Sequence, residues 1–193
     1  MDASDVLAAK QQNRRAARAL RKAHQNDPRP SFLDAVCASP YWKHAKTVAL
    51  TVPFGVEPPT EDIIAAAQAS ARIVALPHWI PDSPDAPSPH ADGGVYRWAA
   101  FTGMDRLSPG LLGIPEPDGS AIPTSEIDLF LLPGLLFDRR GTRLGHGRGF
   151  IDRLLAGRSP SAIVAGLAFS WQISETPLPE EPHDVRMDDL FVL

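Results

Sequence analysis

Apolar residues near the start of the chain recur with a helical period: Val6, Leu7, Ala9, Ala17 and Leu20 are spaced this way among lysine, arginine and glutamine. With Asp5 near its beginning, this pattern predicts a helix over about residues 4–24. Asn26-Asp27-Pro28-Arg29-Pro30 breaks it, after which Ser31 can cap a short helix carrying Phe32, Leu33, Val36 and Cys37. The period then changes. Thr47 to Val52 is apolar and β-branched, which predicts a strand; Thr60 can cap a helix from Glu61 to about Ser70; and Arg72 to Leu76 is a second strand, ended by Pro77. Ile127 to Leu132 is too short for a stable helix and is stopped by Pro133-Gly134, so it reads as a buried strand. Helical spacing returns at Ile151, Leu154 and Leu155, and Ala162 to Ala168 is again strand-like. Strands recurring with helices between them predict an α/β fold whose largely parallel sheet is covered on both faces. Pro81 to Gly94, polar and rich in proline, reads as an exposed loop.

A length of 193 residues fits one domain, 1–193, with a real core. Net charge is −4 without a long basic block, which argues against extended contact with nucleic acid. The single cysteine, Cys37, excludes an internal disulfide and a multi-cysteine zinc site and fits a reducing cytoplasm; small and apolar, it reads as a buried hydrophobe. No stretch approaches the ~20 apolar residues of a membrane span, and the first residues lack a hydrophobic signal core. A cytoplasmic monomer acting on small molecules is the expectation. His44, His78 and His90 show no metal-ligand spacing.

Chemistry concentrates after the Ile127–Leu132 strand, in Pro133 to Arg153, PGLLFDRRGTRLGHGRGFIDR. Gly145, Gly147 and Gly149 alternate with His146, Arg148 and Phe150 ahead of the returning helical pattern. Such a loop can present backbone N–H groups to a phosphate, because glycine permits close approach and φ > 0. Arg143, Arg148 and Arg153 add fixed positive charge, and Asp152 offers a carboxylate to a metal. An ordinary loop whose glycines serve turns is the plainer reading of the glycines alone. The string is neither GxGxxG nor GxxxxGK[ST]. On the first helix Lys10, Arg14 and Arg18 are four apart and share a face, so they can aim a row of cations at one target or simply be solvated. Glu57 lies at the first strand-to-helix connection, where open α/β sheets place ligand groups.

The longer string PGLxFDxxGxRLGxGxGxxD resembles the signature of the 5-formyltetrahydrofolate cyclo-ligase family, also called 5,10-methenyltetrahydrofolate synthetases. Other segments resemble the family in the same order: Lys10 with Arg14 matches its Lys-x-x-x-Arg helix, and Glu57 with Thr60 its Glu-x-x-Thr element. Gly113-Ile114-Pro115-Glu116-Pro117 matches a Gly-Ile-x-Glu-Pro turn, Gly166 to Gln172 a strand, and Leu178 to Asp184 a Leu-Pro-x-Glu-x-His-Asp turn. This resemblance runs from Lys10 to the last strand. It implies a three-layer α/β/α fold with a central, largely parallel or mixed sheet. It also implies ATP- and Mg²⁺-dependent conversion of 5-formyltetrahydrofolate to 5,10-methenyltetrahydrofolate, with release of ADP and phosphate.

By the same resemblance Lys10, Arg14, Arg143, Leu144, Gly145, His146, Gly147, Arg148, Gly149, Phe150 and Ile151 bind ATP, with Arg143 and Arg148 as catalytic cations. Val52, Glu57 and the run His146, Gly147, Arg148, Gly149, Phe150 border the reduced folate, and Asp152 and Asp184 hold the metal. Without the family, Asp152 is a helix-start residue and Asp184 a turn former. Two positions depart from the pattern: Ile151 stands where a second aromatic residue is common, and His146 where tyrosine or arginine is frequent. A nucleotide-binding regulatory protein without turnover, or a divergent ligase on another N-formyl or folate-like compound, are the alternative readings.

Overall fold

The computed structural model describes residues 3–82, 94–110 and 113–193. In chain order the helices are α1 (Ala3–Ala23), α2 (Leu33–Ala38), α3 (Pro40–His44), α4 (Glu61–Ala69) and α5 (Phe150–Leu154). The strands are β1 (Thr47–Ala49), β2 (Ile73–Pro81), β3 (Gly94–Ala100), β4 (Leu107–Pro109), β5 (Pro115–Pro117), β6 (Ala121–Ile122), β7 (Leu129–Leu132), β8 (Leu136–Asp138), β9 (Arg143–Leu144), β10 (Ile163–Ala168), β11 (Ile173–Ser174) and β12 (Asp189–Val192). Seven of them form the central sheet in the order β12-β10-β7-β1-β2-β3-β6. β12 through β2 pair in parallel, while β3 and β6 add antiparallel. The sheet is therefore mixed, with a parallel centre.

Its central strands are apolar at every position, so they bury both faces. Val48, Val74, Leu129, Leu131 and Ala165 face Phe32, Val36, Trp42, Ile63 and Ala67 of the α2–α4 region. Their neighbours Ala49, Ala75, Phe130, Leu132 and Val164 face Phe137, Leu154 and Leu155. The helices thus lie on opposite sides of the sheet, in three layers.

Three local readings are corrected. β2 continues through Pro77 to Pro81, because past Ala75 it has no partner on the β1 side and a residue without an N–H costs no ladder bond there. Thr60 precedes α4, but its hydroxyl donates to Thr51 O at 2.8 Å instead of capping the helix, and so ties α4 to the end of β1. Ser31 Oγ accepts the Leu33 N–H at 3.0 Å, while Phe32 occupies the cap position itself. On α1, Leu7 and Leu20 are 48% and 39% exposed, and the face turned inward carries Lys10, Arg14 and Ala17. Most of the predicted 81–94 loop, His90 included, lies outside the described residues.

The stretch after β7 is more structured than its glycines suggested: β8 and β9 form a hairpin, and β11 pairs beside β8. Gly141 turns the hairpin at φ +83°, and a Cβ there would strike the Met187 carbonyl. Buried Asp138 organises the turn. Its carboxylate accepts the N–H groups of Arg140, Thr142 and Leu178 at 2.9–3.0 Å and pairs with the Arg140 guanidinium. Burial pushes this carboxyl up, but those donors together outweigh it and hold the pKa below the usual value. Asp138→Ala leaves three donors unsatisfied and is expected to cost on the order of 3 kcal/mol in urea unfolding at pH 7. Because the folded-state pKa is depressed, this stabilisation is present above the unfolded value near pH ~4. It fades as pH falls through the folded value, so the two proteins should converge in acid.

Gln172 closes the other end of the stretch. Its side chain accepts the Phe169 N–H at 2.9 Å and donates to Gly134 O at 2.7 Å, fixing the Pro133-Gly134 turn against the end of β10.

Candidate active site

From β1 the chain proceeds outward to β2, whereas β7, β10 and β12 build the sheet in the other direction. The switch point lies between β1 and β7, where open α/β sheets form a crevice beyond the carboxyl ends of their strands. A cleft of about 510 Å³ opens there, lined by Thr51, Val52 and Glu57 after β1 and by Pro133 and Gly134 after β7. Lys10, Arg14 and Arg18 of α1 line one side, and the run from Arg143 to Asp152 lines another. Glu181, His183 and Asp184 complete the wall. Every residue assigned to a site from the sequence borders this one cleft.

The glycine loop is shaped by α1. Arg14 Nε donates to Gly145 O at 3.1 Å. Gly147 takes φ +99°, and a Cβ there would lie 3.1 Å from Arg14 Nε and Cζ. The loop ends on Gly149, left-handed at φ +62°, which starts α5. His146 Nε2 is 3.2 Å from Arg21 Nη1 and 3.6 Å from Glu57 Oε1. One nitrogen cannot both accept from arginine and donate to the carboxylate, and the shorter contact makes it the acceptor from Arg21.

Two cations are already paired. Lys10, 3% exposed, donates to Glu181 Oε2 at 2.7 Å and to Asp184 Oδ2, which also accepts the Glu181 N–H at 2.7 Å. Arg143 Nη2 reaches both Asp152 oxygens at 3.2–3.3 Å, and its buried Nε has no partner. Burial pulls the Arg143 pKa down, with Asp152 opposing it, but a guanidinium stays protonated regardless. Asp152 also accepts the Val185 N–H at 3.4 Å, which keeps it beside the 181–184 turn. Glu181, His183 and Asp184 bring one donor atom each within 4.8 Å of one another, a group that excludes Asp152. Carboxylate oxygens suit Mg²⁺, which typically takes one or two of them together with water and phosphate. Lys10, buried between two carboxylates, shows that this corner demands a cation.

The opposite side of the cleft is aromatic. Phe150 meets Tyr96 edge-on at 5.0 Å, and Tyr96 meets Trp79 at 5.1 Å. Arg148, exposed, stands 5.9 Å over Phe150. Two buried carboxylates face this part. Glu57 Oε2 accepts the Phe54 N–H at 3.0 Å, and Glu116 Oε2 accepts the Trp79 N–H at 2.8 Å. Burial first, and then the Glu116 charge, push the Tyr96 phenol up to about 12, with Arg148 opposing. Tyr96 therefore stays a hydrogen-bond donor at neutral pH.

A family model described as the 5-formyltetrahydrofolate cyclo-ligase family matches residues 7–192. The chain belongs to that family. A 5-formyltetrahydrofolate cyclo-ligase of Mycolicibacterium smegmatis is 32% identical over 145 residues, which cover 74% of this chain and 71% of that protein. One from Haemophilus influenzae is 40% identical over 84 residues, 42% of this chain and 44% of that protein. Among solved structures, the 5,10-methenyltetrahydrofolate synthetase of Aquifex aeolicus superposes with a TM-score of 0.73 at 23% identity, covering 97% of this chain and 89% of that one, which shows a shared fold.

Reading the sequence as a cyclo-ligase still left lining residues unassigned. Glu181 and His183 precede Asp184 by three residues and one, and only the folded turn brings their donor atoms together. Tyr96 lies on a strand whose aromatics alternate between core and cleft, a split that periodicity could not settle. Glu116 was visible in its Gly-Ile-Pro-Glu-Pro string, but the two prolines explained that string equally well as a rigid turn.

Proposed function

We propose that this cyclo-ligase converts 5-formyltetrahydrofolate and ATP to 5,10-methenyltetrahydrofolate, ADP and phosphate, acting as a single domain over 1–193 with α1 as part of the ATP site. The observation that carries this reading is the convergence, on one cleft, of a cation-bordered glycine loop, a carboxylate corner and an aromatic wall with buried carboxylates. The first two suit a nucleotide and its metal; the last suits a flat heterocycle edged with N–H donors.

The reaction needs a better leaving group than an amide-like oxygen. The formyl oxygen attacks the γ-phosphorus of ATP and ADP departs. N10 then adds to the formyl carbon, and phosphate leaves with the oxygen while N10 loses its proton. Transfer of this kind depends on positioning and on cations that meet developing charge. Lys10, Arg14, Arg143 and Arg148 supply those cations, and the glycines from Gly145 to Gly149 let the backbone close on the phosphates. Val52, Glu57 and Phe150 hold the reduced folate. Asp152 and Asp184, with Glu181 beside them, would hold Mg²⁺, which neutralises phosphate charge when bound.

Among the described residues no helix is long and apolar enough to cross a membrane; the protein is proposed to act in the cytoplasm as a monomer. The decisive assay mixes purified protein with 5-formyltetrahydrofolate, ATP and Mg²⁺ and follows the near-ultraviolet absorbance of the methenyl product. ATP binding with no methenyl product would instead favour a nucleotide-binding protein without turnover. Removing residues 1–15 takes away Lys10 and Arg14 while leaving Ala17, buried with Leu135, Leu136, Leu144 and Leu178, to dock the remainder. The truncated protein should stay folded by circular dichroism while its KM for ATP rises roughly tenfold to a hundredfold. An unchanged KM would remove α1 from the site.

A further inference from the structure

Arg21 lies three residues beyond Arg18 on α1 and outside the lining of the cleft, yet it touches both halves of it. Its Nη1 donates to His146 Nε2 at 3.2 Å, on the glycine loop, and its Nη2 donates to Phe54 O at 2.9 Å, on the turn that follows β1. The same turn carries Glu57, whose Oε2 accepts the Phe54 N–H at 3.0 Å. Phe54 is thus gripped at its carbonyl by Arg21 and at its N–H by Glu57. Seven residues earlier on the same face of α1, Arg14 holds the Gly145 carbonyl.

Side chains from outside place this turn, because residues 51–60 belong to no helix or strand. Arg29 holds the next carbonyl, Gly55 O, at 2.8 Å. Gly55 takes φ +63°, and a Cβ there would lie 3.4 Å from Arg21 Nη2. The direct approach of the turn to the glycine loop, Glu57 Oε1 to His146 Nε2, is 3.6 Å and too long for a hydrogen bond. The Arg21 guanidinium spans that gap. A planar fork with donors on separate nitrogens suits two acceptors on different segments, whereas a lysine ammonium carries all its donors on one atom.

We propose that Arg21 is a positioning residue that sets the folate side of the cleft against its nucleotide side. The inference rests on the activity proposed above and adds to it the device that brings the two substrates into register. Phosphoryl transfer needs the formyl oxygen close to the γ-phosphorus and in line with it, and a displacement on the order of 1 Å can cost about a hundredfold in rate. Glu57 sits on the turn and the phosphate-binding glycines on the loop, so an error in their relative placement passes directly to the reacting atoms. Both Arg21 bonds face solvent and add little to stability, so their loss should show in rate and not in unfolding.

Steady-state kinetics and calorimetric titration of Arg21→Gln, Arg21→Lys, His146→Phe and the double variant Arg21→Gln/His146→Phe test this. Arg29→Gln is the control, since it frees the same turn without touching the loop. Arg21→Gln should lower kcat about tenfold while the Kd of ATP stays within about twofold, and Arg21→Lys should fare no better because it keeps the charge but not the fork. The double variant should be no slower than the slower of its two parents, because one bridge is broken only once. Arg29→Gln should leave kcat within about twofold. Binding supplies a readout that needs no turnover: a non-hydrolysable ATP analogue should tighten 5-formyltetrahydrofolate binding about fivefold in the unsubstituted protein and not in Arg21→Gln. Full activity in Arg21→Lys would leave Arg21 a mere charge, and equal loss of kcat in Arg21→Gln and Arg29→Gln would reduce the effect to a loosened turn. Either result overturns the bridge, as does a coupling that is absent from the unsubstituted protein or survives in Arg21→Gln. Failure of the unsubstituted protein to form methenyl product would count against the proposed activity instead, while the titrations would still decide the bridge.

Discussion

Gly147→Val should weaken ATP binding about a hundredfold while lowering stability by only ~1–3 kcal/mol, the usual cost of a strained backbone position. Two separate obstacles meet at this residue. A β-branched side chain is a poor occupant of φ +99°, and its Cβ would press on Arg14 at 3.1 Å, displacing both the loop and a cation of the site. Gly157 supplies the control. It holds φ +80° with nothing within 4 Å of where a Cβ would project, so Gly157→Val carries comparable strain away from the cleft. Equal loss of ATP affinity in both variants, or normal affinity in Gly147→Val, would reduce the loop's glycines to a matter of backbone geometry. Ile151→Tyr is the complementary change: it restores the aromatic residue commoner in the family and should preserve or raise folate turnover. A protein that binds nucleotide without turnover would respond to the first change and not to this one.

Asp184→Asn should lower turnover at least a hundredfold and raise the Mg²⁺ concentration needed for half-maximal rate, because it removes charge from the corner that would hold the metal. The geometry adds a consequence for the fold. Asp184 is also a partner of buried Lys10, so the asparagine leaves that ammonium with Glu181 alone and loosens α1. Lys10→Met separates the two effects, since it abandons the same ion pair but keeps all the carboxylates. If Lys10→Met shifts the Mg²⁺ requirement as far as Asp184→Asn does, the metal assignment fails and Asp184 is only an anchor for the helix. Asp152→Asn should resemble Asp184→Asn in its metal dependence, with the added burden of leaving buried Arg143 without its carboxylate.

Much of this cleft was legible in the chain because its parts sit at turns, where residue type is dictated by local geometry. Gly147 and Gly149 occupy conformations open mainly to glycine, and Pro133-Gly134 ends β7 where an apolar run stops. The parallel centre was equally readable, since strands buried on both faces must be apolar throughout. Residues whose role depends on distant partners were not. Pro77 looked like the end of β2 because its tolerance depends on a neighbour that stops at Ala49. The Asp138 hairpin hid among loop residues because its stabilising donors include Leu178, forty positions away. On α1 the helix and its row of cations were legible, and Val6, Ala9 and Ala17 of its apolar period do turn inward; the acceptors that repay the burial of Lys10 and Arg14 lie on other segments and are not visible from the helix alone.

That inward face gives α1 an unusual relation to the rest of the molecule. Its attachments are largely side-chain hydrogen bonds and ion pairs, from Lys10, Arg14 and Arg21 to groups around the cleft, with Ala17 as its fully buried apolar residue. Such an element can lift away and return while exposing little hydrophobic surface, so its departure is an inexpensive local opening and not the start of global unfolding. Amide exchange should accordingly be fast along α1 and slow along β7, and bound nucleotide should close the gap by protecting the helix. The breathing of this one helix then bears on how long the cleft retains a bound nucleotide and how readily it sheds its products.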